Sequence, residues 1–189
     1  GQVEVRQEPD PTPAPGEILA QTIVSAISPG TEMLVYRGQF PADLVIDDSI
    51  GALSGKFGYP LRYGYAAVGR VVALGSGVDP VWRDRLVFSF EPHASHFVAP
   101  PDALLPLPTS ISPENAAFLP NMETAVNLVM DGQPVIGERV AVFGQGIVGL
   151  LTTALLAQFP LETLITFDRY PLRREKSLVA GARQSIDPF

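Results

Sequence analysis

The chain has 189 residues, 46% of them hydrophobic and 17% charged, with a formal net charge of −7. That length and balance describe one large or two small folded domains with a real core, and argue against a disordered chain. The acidic sign argues against nucleic acid or an anionic membrane surface as partner, and the absence of cysteine excludes disulfides and thiolate-held zinc or iron–sulfur groups.

Residues 1 to about 110 are dense in Gly and Pro, with short β-rich runs between turn signals. Val3–Arg6 reads as strand-like, and Ile18–Ala26, Ala67–Leu74, Arg85–Phe90 and Ser95–Ala99 read as strands of an irregular, partly closed β-domain. The texture changes at Ser112-Pro113-Glu114: serine caps, proline suits a first helical turn, and the acid complements the helix dipole. Pro120 is expected to interrupt the apolar run that follows, with a second helix from Glu123 to about Met130. From there the order is strand Arg139–Phe143, helix Ile147–Gln158, strand Thr163–Phe167 and helix Leu172–Ala180, closed by Gly181. Strand–helix alternation predicts a parallel sheet with right-handed crossovers. The domains expected are therefore 1–115, a β-domain; 116–135, an interdomain helical segment; and 136–189, the start of a doubly wound α/β domain.

The chemistry-bearing motif is Val140-Ala141-Val142-Phe143-Gly144-Gln145-Gly146-Ile147-Val148-Gly149. A Gly-x-Gly-x-x-Gly between a strand and a helix is the dinucleotide fingerprint: the first glycine turns, the second admits a pyrophosphate, and the third lets helix and strand pack closely. The backbone of Gly144 to Gly149, with Gln145, Gly146, Ile147 and Val148 between, is the expected pyrophosphate cradle at a helix N-terminus. Asp168, at the end of the next strand, is placed to accept hydrogen bonds from ribose hydroxyls. Its carboxylate would repel a 2′-phosphate, which favours NAD over NADP. Arg169, Arg173 and Arg174 follow closely, and an arginine there can accommodate that phosphate; the competing reading is solvated charge on a helix start. A doubly wound domain that binds no nucleotide is the competing reading of the whole motif. Only two strands of the sheet are evident, with a third barely begun at Ser185-Ile186-Asp187. That would leave the second strand at an exposed edge, and the 189-residue piece is expected to be inactive and to associate or aggregate.

A β-rich amino-terminal domain followed by this fingerprint resembles the medium-chain dehydrogenase/reductase family, the zinc-type alcohol dehydrogenases and quinone oxidoreductases. Ser25-Ala26-Ile27-Ser28-Pro29-Gly30-Thr31-Glu32 with Tyr36-Arg37-Gly38 resembles the family's first active-site loop. Gly64-Tyr65-Ala66-Ala67-Val68-Gly69-Arg70-Val71 stands where the family has Gly-His-Glu and a Gly-x-Val strand, and Asp84-Arg85-Leu86-Val87 is similar to its Gly-Asp-Arg-Val turn. Gly181-Ala182 and Ile186-Asp187-Pro188 resemble the entry to its third Rossmann strand. The first loop and Gly58–Leu61 look closest to the bacteriochlorophyllide dehydrogenase-like branch. The resemblance implies a GroES-like irregular β-barrel followed by a truncated, doubly wound Rossmann sheet (an α/β plus β fold), a nicotinamide cofactor, a small-molecule substrate and a homo-oligomer.

The departures set the expected chemistry. Ser28 or Pro29 stands at the first zinc-ligand position, Tyr65 and Ala66 replace His-Glu, Pro120 to Met122 fall near the third, and the structural-zinc lobe is missing. A hydroxyl and an alanine are no substitute for zinc ligands, so no zinc of the family type is expected. His93, His96 and Glu91 are the one other metal-capable set, with hydrogen-bonded loop histidines as the commoner explanation. Without zinc, a protein donor must stabilise the charge developing on a carbonyl, or the alkene must be conjugated. Tyr65 takes the place of the lost histidine, so by resemblance it lies in the cleft; the competing reading is that it packs on the barrel. The resemblance likewise puts Thr31 and Glu32 against substrate or nicotinamide ribose, although Pro29-Gly30 is also plain turn chemistry. It brings Asn121, Glu123 and Thr124 near the nicotinamide, with Glu123 a candidate proton relay or a solvated helix-start acid. Tyr36, Phe40, Phe57, Tyr59 and Tyr63 suit a bulky, aromatic substrate, or are core.

The function expected is zinc-independent, NAD(P)-dependent hydride transfer between nicotinamide and an alcohol/carbonyl or conjugated alkene. The alternatives are a non-catalytic nucleotide-binding or structural member of the same fold, or an inactive fragment of a longer dehydrogenase. The chain begins at Gly1 and looks trimmed; no signal peptide or apolar run long enough to span a bilayer is evident, and the default compartment is the cytoplasm.

Overall fold

The computed structural model describes residues 1–39 and 58–189, so Phe40 and Phe57 lie outside the described residues. The chain divides into two units, Gly1–Phe118 and Leu119–Phe189.

The first unit is built on a five-stranded antiparallel sheet. Its strands are β1 (Ile18–Ser25), β2 (Ala67–Leu74), β3 (Leu86–Ser89), β4 (His96–Ala99) and β5 (Leu105–Pro106), in the order β4-β1-β2-β3-β5. Alternation explains the core: Ile18 and Ala20 on β1, Ala67 and Val71 on β2, Val87 on β3, and Phe97 and Ala99 on β4 form one buried cluster with Leu104. Gly69 belongs to the same face. A Cβ there would sit 2.8 Å from the Gln21 carbonyl oxygen and 2.9 Å from Cε1 of Phe97, so the missing side chain is what seats the Phe97 ring on the sheet.

Two elements of the first unit differ from the sequence reading. Val3–Arg6 forms no strand; Val3 and Val5 are exposed, with no sheet edge pairing them. The segment read as an active-site loop instead carries a helix, α1 (Thr31–Arg37), which buries Val35 and ends at Gly38 in the left-handed conformation. The four-residue helix α2 (Pro113–Ala116) starts as expected, with Ser112 Oγ accepting the Asn115 N–H at 3.2 Å.

The second unit opens with α3 (Leu119–Gly132), where Pro120 lies in the first turn rather than breaking the helix, the position at which its missing N–H costs no intrahelical bond. Strand β6 (Arg139–Phe143), helix α4 (Ile147–Leu156), strand β7 (Thr163–Phe167), helix α5 (Pro171–Val179) and strand β8 (Gln184–Ile186) follow. The strands form a parallel sheet in the order β6-β7-β8, so β7 is central and flanked on both sides. This corrects the expectation of an exposed second strand: three residues of β8 suffice to pair it. Buried hydroxyls tie the layers, with Thr166 Oγ1 2.7 Å from Ser177 Oγ and 2.8 Å from Ser185 Oγ. Gly181, at φ 110°, closes α5 with the Gly181 N–H donating to Leu178 and the Ala182 N–H to Ser177.

Replacing Gly69 with alanine is expected to lower the stability of the first unit by about 1–3 kcal/mol, because the obstacle is backbone as well as ring. Denaturant unfolding checks this, and an unchanged midpoint contradicts the packing argument.

Candidate functional site

The glycine-rich turn joins β6 to α4. Gly144 has φ 86°, a conformation glycine adopts freely, and its N–H donates to the Phe167 carbonyl at 2.8 Å. A side chain on Gly149 would overlap the Gly144 carbonyl, so the third glycine is what brings α4 against the turn. A Cβ on Gly146 would meet nothing of the protein within 4 Å. No side chain caps α4, whose first residues are Ile147, Val148 and Gly149. A turn with open space over its second glycine and an uncapped helix start fits a pyrophosphate.

Gln145 and Asp168 hold that turn from beneath. The Gln145 side chain is fully buried: its Nε2 donates to the Gly144 carbonyl at 3.1 Å, and its Oε1 accepts from Thr153 Oγ1 at 3.0 Å. Its amide is thus a prop inside the fold, and only its backbone belongs to the loop. The side chain of Asp168 is 5% exposed; Oδ2 accepts the Gln145 N–H at 2.7 Å and Oδ1 the Tyr170 N–H at 2.8 Å. Burial pushes its pKa up, but the Tyr170 and Gln145 N–H groups and the Arg173 guanidinium, 3.6 Å away, prevail and hold it below the ordinary carboxylate value. Asp168 is therefore first a clamp between the end of β7 and the turn. A carboxylate has about four acceptor sites, so two remain beyond these N–H bonds.

The three arginines are engaged by their own chain. Arg169 donates to the Tyr170 hydroxyl and stacks over its ring at 4.6 Å, and Arg173 stacks over that ring at 4.8 Å. Arg174 bonds the Asp168 carbonyl and Asp187 Oδ2, each at 2.8 Å. On α3, Asn121 is half-buried, whereas Glu123 and Thr124 are exposed and Thr124 Oγ1 donates to the Pro120 carbonyl at 3.0 Å.

A second cluster lies in the first unit. Glu32, in the first turn of α1, accepts the Ser28 N–H on Oε1 at 2.7 Å and meets His93 Nε2 with Oε2 at 2.8 Å. His93 Nδ1 lies 2.9 Å from Ser25 Oγ. Both carboxylate oxygens of Glu32 are thus directed inward, while Thr31 beside it is exposed. Tyr65 is half-buried and meets Tyr63 edge to face at 6.4 Å. Burial, then Tyr65, then Glu32 raise the Tyr63 phenol above its ordinary pKa. Tyr36 and Tyr59 are exposed, and the Tyr59 hydroxyl donates to the Val35 carbonyl.

His96 faces another way from His93, with Ser95 Oγ at 3.2 Å and Asp10 at 3.6 Å. Glu91 is half-buried, and burial raises its pKa against the opposing pull of Arg62. Among the described residues no three His, Asp or Glu side chains converge on a metal position. The joining of Ser25, Glu32 and His93 was not visible in the sequence, because His93 and Glu32 are 61 residues apart and share no periodicity.

The first unit is thus an antiparallel sheet, and the second opens a parallel sheet on a Gly-x-Gly-x-x-Gly turn. No family model matches the chain. L-threonine 3-dehydrogenase of Pyrococcus abyssi is 27% identical over 198 residues, covering 95% of this chain and 56% of that protein. D-xylulose reductase A of Aspergillus oryzae is 35% identical over 95 residues, covering 50% of this chain and 26% of its own. The crystal structure of Escherichia coli quinone oxidoreductase complexed with NADPH has a TM-score of 0.75 at 22% identity, over 97% of this chain and 53% of that one. The chain is similar in sequence to these dehydrogenases and reductases, and its fold is the GroES-like plus Rossmann arrangement of the solved structures it matches. It spans just over half the length of the threonine dehydrogenases it matches.

Because Asp168 titrates below its ordinary value of about 3.9 in the folded chain, its stabilisation is complete at neutral pH. It is lost as pH falls below about 4 and through the folded-state value. Asp168→Asn is expected to unfold with about 1–3 kcal/mol less stability at pH 7, since it leaves a buried N–H poorly matched, and with a flatter acid limb. Urea unfolding of both proteins between pH 7 and pH 3 reads this out; parallel curves would contradict it.

Proposed function

We propose that this chain is the GroES-like domain and first Rossmann strands of a zinc-independent, NAD(P)-dependent oxidoreductase acting on an alcohol/carbonyl or conjugated-alkene substrate. The observation that carries the reading is the turn at Gly144–Gly149, where a left-handed glycine, open space over Gly146 and an uncapped helix coincide. The backbone of Gly144 to Gly149 would hold the pyrophosphate, and the remaining acceptor sites of Asp168 would take a ribose hydroxyl. When bound, the nicotinamide supplies or accepts the hydride.

NAD(H) is favoured over NADP(H). Asp168 ends β7 as a carboxylate held in its charged form, Arg174 is spent on Asp168 and Asp187, and Arg169 and Arg173 are stacked on Tyr170. Glu123 and Thr124, exposed on α3, are our candidates for approach to the nicotinamide. Tyr65, with Tyr63 against it, is the candidate hydrogen-bond donor to a substrate oxygen. Exposed Tyr36 and Tyr59 support a bulky, aromatic substrate. Zinc independence rests on ligand chemistry: the chain has no cysteine, and Tyr65 and Ala66 stand at the family's His-Glu positions. Self-association and a cytoplasmic location belong to the same proposal, the first supported by Phe143 at 74% and Val179 at 79% exposure.

The test separates fold from cradle. The Cβ of Gly146→Ala meets no protein atom within 4 Å, so its melting temperature is expected to match wild type, while NADH affinity, read by fluorescence quenching, falls at least about tenfold, or 1.4 kcal/mol. Wild type is expected to bind NADH more tightly than NADPH, to reduce members of a carbonyl panel in its longest natural form, and to carry no stoichiometric zinc by elemental analysis. Binding without turnover would support the non-catalytic alternative; no binding of either cofactor at millimolar concentration would overturn both.

A further inference from the structure

We infer that Ser25, His93 and Glu32 form a proton relay that ends at the Ser25 hydroxyl and serves the substrate oxygen; this rests on the oxidoreductase reading above. The three residues come from different elements of the first unit: the end of β1, the loop between β3 and β4, and the first turn of α1. Their spacing is that of continuous hydrogen bonding, 2.9 Å from Ser25 Oγ to His93 Nδ1 and 2.8 Å from His93 Nε2 to Glu32 Oε2.

The carboxylate dictates the tautomer. Ionised Glu32 is acceptor-only and is itself oriented by the Ser28 N–H at 2.7 Å, so His93 Nε2 carries a hydrogen. His93 Nδ1 then faces a group that can both donate and accept. When the ring is neutral, the Ser25 O–H donates to Nδ1. When the ring is protonated, Nδ1–H donates to Ser25 Oγ and the serine proton is released for another acceptor. Neither hydrogen bond is broken in passing between the two forms.

The ring is seated with care. Gly64 has φ 126°, and a Cβ on it would lie 2.8 Å from both Cδ2 and the backbone nitrogen of His93. The His93 N–H donates to the Tyr63 carbonyl at 3.1 Å. The His93 side chain is 30% exposed and that of Glu32 11%, so the ring reaches solvent while the orienting carboxylate is largely withdrawn from it. The neighbouring Tyr63 phenol is held protonated by its burial and by the charges of Tyr65 and Glu32.

In carbonyl reduction, a bound reduced nicotinamide dinucleotide would supply the hydride for the new C–H bond, and the carbonyl π pair would move to oxygen. That oxygen takes the Ser25 proton as Ser25 Oγ takes the proton of His93 Nδ1. The carbonyl would become an alcohol at the expense of the dinucleotide, and the ring would be left neutral with Nε2–H on Glu32. Water returns the proton along the same path after product leaves. Ser25 is thus a catalytic residue, and Glu32 a positioning residue acting through His93.

The experiment uses the longest natural form of the chain, with Ser25→Ala, Ser25→Thr and His93→Gln beside wild type. Nitrogen-15 spectra of the wild-type His93 ring are expected to show the Nε2–H tautomer whatever the activity, and an Nδ1–H tautomer would overturn the relay. Single-turnover oxidation of NADH by an aldehyde panel is expected to slow about 100-fold or more in Ser25→Ala and His93→Gln, with NADH affinity unchanged and Ser25→Thr restoring the rate. Wild type should show a solvent deuterium isotope effect that Ser25→Ala lacks, a difference that a merely structural serine would not produce. Turnover by Ser25→Ala and His93→Gln at the wild-type rate overturns the relay and leaves the oxidoreductase reading standing. Wild type that binds NADH but reduces nothing overturns both.

Discussion

The second unit depends on a single carboxylate. Asp168 takes the Gln145 N–H on one oxygen and the Tyr170 N–H on the other, joining the tip of β7 to the turn after β6. It adds to the bond by which the Gly144 N–H reaches the Phe167 carbonyl. With it, the turn is held from two sides, because the buried Gln145 amide and Thr153 brace it from α4. These bonds hold the turn from Gly144 to Gly149 within the protein itself. The same bonds keep Asp168 ionised despite its burial.

The first unit solves a different problem. Gly64-Tyr65-Ala66 stands where the family resemblance leads one to expect Gly-His-Glu, and neither Tyr65 nor Ala66 is a zinc ligand by type. The structure offers a set of protonatable groups drawn from three segments, with Glu32 facing a histidine that the sequence kept only as an unlikely metal ligand. Gly64 connects the two facts: the glycine of the family-like motif is the residue whose missing Cβ lets His93 approach. The altered motif therefore has its own packing logic.

Much of the fold was legible in the sequence, and for identifiable reasons. Ala67–Leu74, Arg139–Phe143 and Thr163–Phe167 emerged with the bounds their apolar runs imply, because Gly and polar residues punctuate them on both sides. Helix α1 was hidden by Pro29-Gly30, which reads as a turn and here simply precedes the first helical residue. Val3 and Val5 alternate as a strand should, but alternation builds a strand only where an edge is available to pair it. Pro120 misled in the opposite direction, since a proline that ends one helix and one that opens the next look alike in sequence. At the site, the glycines were readable from local spacing. The inward turn of Gln145, the double capping by Asp168 and the meeting of His93 with Glu32 were not, because each depends on what lies across the fold.

The most direct test of the account is an amide-by-amide titration of the nitrogen-15-labelled chain with NADH. The largest shifts are expected at Gly146, Ile147, Val148 and Gly149, with the Gln145 amide remaining protected from exchange throughout because Asp168 already holds it. Saturable shifts confined to other residues, or none at these four, would contradict the claim that this turn is a preformed dinucleotide cradle.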